Sequence, residues 1–433
     1  MSMLVAMTIA GSDSSGGAGL QADLKAFSSE GVHGTTVITA VTAQNTRQVS
    51  RIFPLSTSQI IAQIDAVLED VNISAVKTGM LYSGDIARAV ARRLNDEDMP
   101  LVVDPVMVAG VGDGLSLDDL NDAIRDELAP IATIFTPNLP EAEALLGYTI
   151  SDEHDIKKAC RELSALGSDA ILLKGGHAEG PTCRDVLYHD ERYTIMEHPR
   201  VPIRGHGGGC ILAALLAANL AKGLSVHDAV IKSNDSVRHA VIHNYPIGHG
   251  VPVVNPLSRL YREAWSHESL KELLFAARKA ACLIPSKMVA EGGTEFIFSL
   301  PYAKNSEDIC SLEIPIIHRN DHTILPAGVM LGASQYMTQL IISISSYNTD
   351  IRSIISLKHS SELEMLVKAK GMRTVAMRDL MRAGEDNSIS IELEAIDFIS
   401  LHNSNSLGSE EKAMILLGQN PLEILSKLRM LIE

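Results

Sequence analysis

The stretch from Met3 to Gly31, "MLVAMTIAGSDSSGGAGLQADLKAFSSEG", decides the fold. It opens on a continuously apolar run. It then crosses a turn carrying Gly11, Gly16, Gly17 and Gly19 and enters a helical spacing of apolar residues. A strand without polar alternation is buried on both faces, as in a parallel sheet with helices on either side. The same alternation continues down the chain. Strands are expected at "TTVITAVTAQ", "AVKTGM", "LVVDPVM", "TIFTPN" and "AILLKGG". Helices are expected at "SQIIAQIDAVLEDV", near 83–95, near 117–128, at 139–146 and at 153–167. "DVLYHDERYTIMEHP" reads as an antiparallel hairpin at a sheet edge, and helices at 209–223 and 225–245 complete the region. The expected class is α/β, a parallel sheet covered by helices on both faces over residues 1–258.

After the Gly/Pro-rich "GHGVPVVNPLSRLY" the texture changes. Residues 259–282 read as a linking helix. Residues 283–433 read as a second, smaller α/β domain, with strand-like "TEFIFSLP" and "LEIPIIH" and the helices "SQYMTQLIISISSY" and "SSELEMLVKAKG". A chain of 433 residues is too long for one ordinary core, so two domains are expected.

The formal charge of −16 and an aromatic content of 4% argue against nucleic acid as a partner. Cys160, Cys183, Cys210, Cys282 and Cys310 are scattered and form no CxxC pair, which suggests reduced thiols and a cytoplasmic protein. The apolar N-terminal run has no basic region before it and reads as a buried strand, not a signal peptide. No run approaches the roughly 18 apolar residues of a membrane helix, so no membrane partner is expected.

Several motifs carry chemistry. In "IRGHGGGCILAALLAANLAKG" (203–223), Gly205, Gly207, Gly208 and Gly209 precede Cys210 where the turn becomes a helix. Successive glycines and a helix start can converge backbone N–H groups on a phosphate. A thiol there is expected to have a lowered pKa and to serve as a base or anion ligand; a buried small hydrophobe is an equally good reading of the spacing. The earlier turn "GSDSSGGAGL" fits neither G-x-G-x-x-G nor a P-loop. Asp23, Gln44, Asp104, Asn138 and Lys174 end strands or open helices at the C-terminal sheet edge, where open parallel sheets bind ligands. Together they suggest a phosphate and magnesium site. Asn138 and Glu141, three apart at a helix start, read first as a capping pair.

"TIAGSDSSGGAGLQADLKAF", "VITAVTAQNT", "VKTGML", "VVDPVM", "TPNLPEAEAL", "LLKGGH" and "HGGGC" occur in this order over about 250 residues. This combination resembles the hydroxymethylpyrimidine and phosphomethylpyrimidine kinases of thiamine biosynthesis, in the ribokinase-like superfamily. The resemblance implies ATP-dependent phosphorylation of the pyrimidine and then of its monophosphate, with ATP and Mg2+ as cofactors and a homodimer as the expected oligomer. It implies that Gln44 reads the aminopyrimidine and that Gly11, Asp23 and Met80 line its pocket. Asn138 and Glu141 would organise magnesium and phosphate, Asp104 would act on the metal through water, and Lys174 would contact the ATP phosphates. Gly207, Gly208 and Gly209 would hold phosphate, and Cys210 would stand where sugar-kinase relatives carry an aspartate base. The family turn usually reads His-Gly-Thr-Gly-Cys; here glycine replaces the threonine.

Residues 283–433 resemble, more weakly, the archaeal-type thiamine-phosphate synthase domain often fused behind this kinase. The resemblance rests on "LIPSKMVAEGGTEFIFSLPYAKNSEDI", "GVMLGASQYMTQLI", "AMRD" and "LGQNPLEIL". It implies coupling to thiazole phosphate. Gly332 and Ser334 are candidates for a pyrophosphate cradle and Arg378 for a phosphate partner, with a helix cap and a solvated charge as the ordinary readings. The segment "NSNSLGSEEKAMILLG" departs from the family's glycine-lysine loop, and relatives of this domain also act as ligand sensors. A pyridoxal or sugar kinase is the alternative for the first domain.

Overall fold

The computed structural model describes residues 3–107, 119–176, 180–201, 207–290, 292–319, 322–376, 396–401 and 413–433. It divides into two compact units, Met1–Arg259 and Leu260–Glu433.

In the first unit the strands are β1 (Val5–Asp13), β2 (His33–Gln44), β3 (Val49–Pro54), β4 (Ala75–Thr78), β5 (Leu101–Val103), β6 (Ile134–Phe135), β7 (Ala170–Leu173), β8 (Thr182–His189) and β9 (Arg192–Pro199). They form one sheet in the order β3-β2-β1-β4-β5-β6-β7-β8-β9. From β2 to β7 every pairing is parallel. β3 and the β8–β9 hairpin join antiparallel at the two edges. Strand β3 was not expected: "VSRIFP" is largely exposed, so no apolar run marks it. "LVVDPVM" and "TIFTPN" contribute only three and two residues to the ladder, and their polar ends turn into the site.

Successive strand residues point to opposite faces, and here both faces are apolar. Met7, Ile9, Val76, Val103, Phe135 and Ile171 pack in one core, and Ala6, Ala75, Val102, Ile134, Ala170 and Leu172 in another. The first core is covered by α2 (Thr57–Leu68), α3 (Gly84–Leu94), α4 (Leu120–Ala123), α5 (Leu139–Leu146) and α6 (Glu153–Ser164). The second is covered by α1 (Gly19–Ser29), α7 (Gly208–Ala221) and α8 (Val226–Ile242). Every residue of α7 from Ile211 to Ala221 is buried, which explains its alanine-rich, all-round apolar sequence.

Helix α9 (Ser258–Leu283) spans the stretch read as a link. Its Leu273, Ala276, Ala277, Ala280 and Ala281 belong to the core of the second unit. The remaining strands are β10 (Phe296–Ser299), β11 (Ile309–Leu312), β12 (Ile317–Arg319), β13 (His322–Ile324), β14 (Val329–Leu331), β15 (Ser353–Lys358), β16 (Thr374–Ala376), β17 (Phe398–Leu401) and β18 (Ala413–Gly418). The sheet order is β14-β11-β10-β15-β18-β17-β16, antiparallel except between β16 and β17, with β12–β13 as a separate hairpin. "LEIPIIH" is therefore not one strand: it ends β11 and begins β12, with Pro315, which has no N–H for a ladder, between them. Helix α10 (Gln335–Tyr347) packs on one face of this sheet. Helices α9, α11 (Ser361–Ala369) and α12 (Pro421–Ile432) pack on the other.

Candidate active site

The two glycine-rich turns meet at the C-terminal edge of the parallel strands. The first is tied by Asp13, whose carboxylate accepts from the Ser15 N–H and hydroxyl, both at 2.8 Å, and from the N–H groups of Gly17 at 3.1 Å and Ala18 at 2.8 Å. The second begins at Gly207, which has φ +92° and lies so close to the first turn that a Cβ there would collide with the Gly17 carbonyl. Only glycine meets both demands. Gly207 is the N-cap of α7 and offers no side chain to that helix end, leaving Gly208, Gly209 and Cys210 in its first turn. Gly205 and His206 lie outside the described residues.

On one side stands a buried cluster of charge. Lys174 Nζ is 2.6 Å from Asp104 Oδ1 and 3.8 Å from Glu141 Oε2. The strand pairing reaches the site through an isolated parallel bridge between Asn138 and Lys174. Asn138 and Glu141 do form the capping box of α5: the Asn138 N–H donates to Glu141 Oε2 at 2.8 Å, and the Glu141 N–H donates to Asn138 Oδ1 at 2.8 Å. The capping and site readings therefore coincide in one pair. Burial pushes the Glu141 carboxyl up to about 7, against the pull of Lys174 and helped by Asp104. Burial works against the Lys174 ammonium, but Asp104 and Glu141 together hold it above its usual range. When Glu141 is ionised, two carboxylates share one ammonium and leave uncompensated negative charge, a donor set that fits a hard divalent cation. Gly209 lies against the same lysine, its would-be Cβ 3.5 Å from Nζ.

On the other side, Gly11 packs so tightly on the Met80 Cε methyl that a side chain there would displace it. Gln44 is half-buried; its Oε1 accepts from Thr42 Oγ1 at 3.2 Å, and Ser14 brackets its backbone, donating to the carbonyl at 2.8 Å and accepting from the N–H at 2.9 Å. Asp23 differs from its expected place on the pocket wall. It is fully buried, its Oδ2 accepting from Thr8 Oγ1 at 2.6 Å and from Lys77 Nζ at 2.8 Å.

Two features depart from the sequence reading. Cys210 does not have a lowered pKa: burial pushes its thiol up to about 11, against Lys77 and the Gly19 N–H, because desolvation of the thiolate outweighs the helix start. The sequence reading does not include Lys77, which the structure buries against Asp23. The signal was a lysine inside the otherwise apolar strand "AVKTGM", and such a lysine is almost never buried unless paired.

In the second unit Gly332 has φ +115°, and Ser334 is the N-cap of α10, accepting from the Met337 N–H at 3.3 Å. Burial raises the Glu295 carboxyl, against the pull of the Ser334 hydroxyl. An acidic group thus lies near the turn read as a pyrophosphate cradle. Arg378 lies outside the described residues, as do the "AMRD" stretch beyond Ala376 and the loop from Asn403 to Lys412.

Residues 13–255 match the phosphomethylpyrimidine kinase family model, more than half of the chain. The chain belongs to that family. Residues 275–430 match the model of thiamine-phosphate synthase ThiN. The chain is 44% identical over 253 residues to hydroxymethylpyrimidine/phosphomethylpyrimidine kinase of Bacillus subtilis, covering 58% of this chain and 93% of that one. It is 40% identical over 251 residues to the thiamine biosynthesis bifunctional protein ThiED of Geobacter sulfurreducens, covering 58% of this chain and 51% of that one. Among solved structures, the ADP complex of Bacillus subtilis pyridoxal kinase superposes with a TM-score of 0.56 at 34% identity, over 60% of this chain and 99% of that one. The phosphomethylpyrimidine kinase of Clostridium difficile gives 0.50 at 38% identity, over 55% and 99%. The protein is thus a kinase with the α/β architecture expected. Among the described residues no helix is long and apolar enough to cross a membrane.

Proposed function

We propose that the first unit phosphorylates 4-amino-5-hydroxymethyl-2-methylpyrimidine with ATP, and then its monophosphate to the pyrophosphate, in the synthesis of thiamine. The observation that carries this reading is the meeting of the glycine turn and Cys210 with the buried Lys174–Asp104–Glu141 group at one sheet edge. Phosphoryl transfer asks for positioning and charge neutralisation more than for a strong base. The N–H groups of Gly208, Gly209 and Cys210 would receive the transferring phosphoryl group, and Lys174 would neutralise it. Glu141 and Asp104 would hold magnesium through water, the ion screening phosphate charge when bound. Gln44 offers an amide donor and acceptor to an aminopyrimidine edge, with Gly11 and Met80 beneath the ring. Cys210, protonated at neutral pH, would donate its S–H to the substrate oxygen, and only its minor thiolate form, which Lys77 favours, would accept that oxygen's proton.

The pyridoxal kinases among the structural neighbours support a second reading, pyridoxal phosphorylation at the same site. Competition between the two substrates decides. With equal concentrations of hydroxymethylpyrimidine and pyridoxal, the first should be consumed faster; preferential formation of pyridoxal phosphate would reverse the assignment.

For the second unit the match to the synthase model supports coupling of the pyrimidine pyrophosphate to hydroxyethylthiazole phosphate. The Glu295 acidic group near Ser334 supports the alternative, a thiamine-phosphate-binding regulatory module, because whenever it is ionised it opposes a pyrophosphate leaving group. Incubation of the full chain with both phosphates and magnesium separates them: thiamine phosphate formed over many turnovers means a synthase, and tight product binding without turnover means a sensor.

A further inference from the structure

The roles above leave Lys77 and its partner Asp23 unused. The Lys77 side chain is fully buried in the middle of the sheet, on β4 between β1 and β5. Its ammonium donates to Asp23 at 2.8 Å, and the same carboxylate oxygen accepts from Thr8 at 2.6 Å. Gly79 leaves room for it, since a Cβ on Gly79 would stand 2.6 Å from Nζ. Asp23 lies one helical turn beyond Gly19 on α1, and Lys77 shares with Ala75 the face of β4 that α1 and α7 cover, with Cys210 in the first turn of α7. The thiol and the Lys77–Asp23 pair therefore stand on the same side of the sheet. The other charged groups felt at this thiol are Asp104, after β5, and Lys174, after β7. A buried ion pair is a costly way to stabilise a sheet, and apolar residues of similar volume commonly serve as well.

We propose that Lys77, clamped by Asp23, is a positioning residue of phosphoryl transfer: its ammonium supplies the positive charge against which Cys210 works, without itself touching the substrate. Burial alone lowers Lys77, but Asp23, Cys210 and Asp104 together carry it above its ordinary value, so it stays charged throughout the working pH range. Among the influences on the thiol, Lys77 is the largest that opposes burial. This inference rests on the reading that Cys210 acts at the reacting centre.

The test uses the full chain. Iodoacetamide labelling of Cys210 is followed from about pH 8 to 11 by peptide mapping, with exposed Cys282 as the internal reference. Lys77→Met should slow Cys210 labelling at least tenfold near pH 9, leave Cys282 unchanged, and lower kcat with little effect on the KM for ATP. Where that variant fails to fold, Asp23→Asn/Lys77→Met removes the pair as a neutral unit and should slow labelling in the same direction. Unchanged Cys210 labelling in a folded variant overturns the proposal. Unchanged kcat in Lys77→Met overturns it too, and Cys210→Ala then locates the failure. If Cys210→Ala is impaired, the Lys77 link alone falls; if it is fully active, the reading of Cys210 falls with it.

Discussion

Glu141→Gln should make the protein more stable and less active, with the stability gain confined to neutral and alkaline pH. The substitution keeps the cap of α5, because a glutamine amide oxygen accepts the Asn138 N–H as the carboxylate does. It also leaves the Lys174–Asp104 bond at 2.6 Å in place. What it removes is a carboxyl that burial raises from 4.5 to about 7. An acid raised on folding holds its proton more tightly in the folded than in the unfolded chain. Its contribution is therefore fully favourable below about 4.5, fades as pH rises towards about 7, and is lost above that. A rise of this size corresponds to ~3 kcal/mol. Glutamine does not titrate, so the variant should match the wild type near pH 4 and exceed it by up to ~3 kcal/mol near pH 8. At roughly 2–4 °C per kcal/mol in a domain of this size, the gain is about 6–12 °C in Tm. The assay is thermal unfolding at both pH values, read in the transition that ATP and magnesium shift. Magnesium should raise the wild-type transition more than the variant's, and kcat of the variant should fall. A variant that is equally or less stable at pH 8, or whose gain is the same at both pH values, would refute the reasoning.

Three further substitutions follow from the same geometry. Cys210→Ala should lower kcat for both phosphorylations by about 10²-fold or more if the sulfur takes part in proton transfer, while both KM values stay within a few-fold; full kcat would reduce the residue to a small helix-start side chain. Gln44→Leu should raise the KM for the pyrimidine by roughly tenfold or more, since each lost buried hydrogen bond costs ~1–3 kcal/mol, and should leave the KM for ATP alone; an unchanged pyrimidine KM removes Gln44 from the pocket. Gly207→Ala forces a side chain to φ +92° and into the Gly17 carbonyl, so ATP affinity should collapse together with ~1–3 kcal/mol of stability from the backbone strain alone; wild-type ATP binding, measured by calorimetry, would show that the two turns need not abut.

The sequence made the first unit legible because its core strands are largely apolar on both faces and many of its helices start at a recognisable cap, as at Ser56, Ser83, Asn138 and Ser225. It could not mark β3, whose residues are mostly exposed, nor the break at Pro315, which interrupts an apolar run without changing its composition. The candidate polar residues were visible as interruptions at strand ends. Their pairing was not: Lys77 and Asp23 are 54 positions apart, and Lys174 and Asp104 are 70. Which aspartate faces which lysine is settled by strand order and by where α1 packs on the sheet. The Cys210 thiol shows the same limit, since the helix start is readable in sequence and the depth of burial that overrides it is not.

The most direct measurement is a time course by phosphorus NMR of the full chain with hydroxymethylpyrimidine, ATP and magnesium. The account predicts that the monophosphate rises, then falls as the pyrophosphate appears, and that Cys210→Ala slows both phases together. Accumulation of the monophosphate without a second phosphorylation, or a variant that slows one phase alone, would contradict a single site carrying out both transfers.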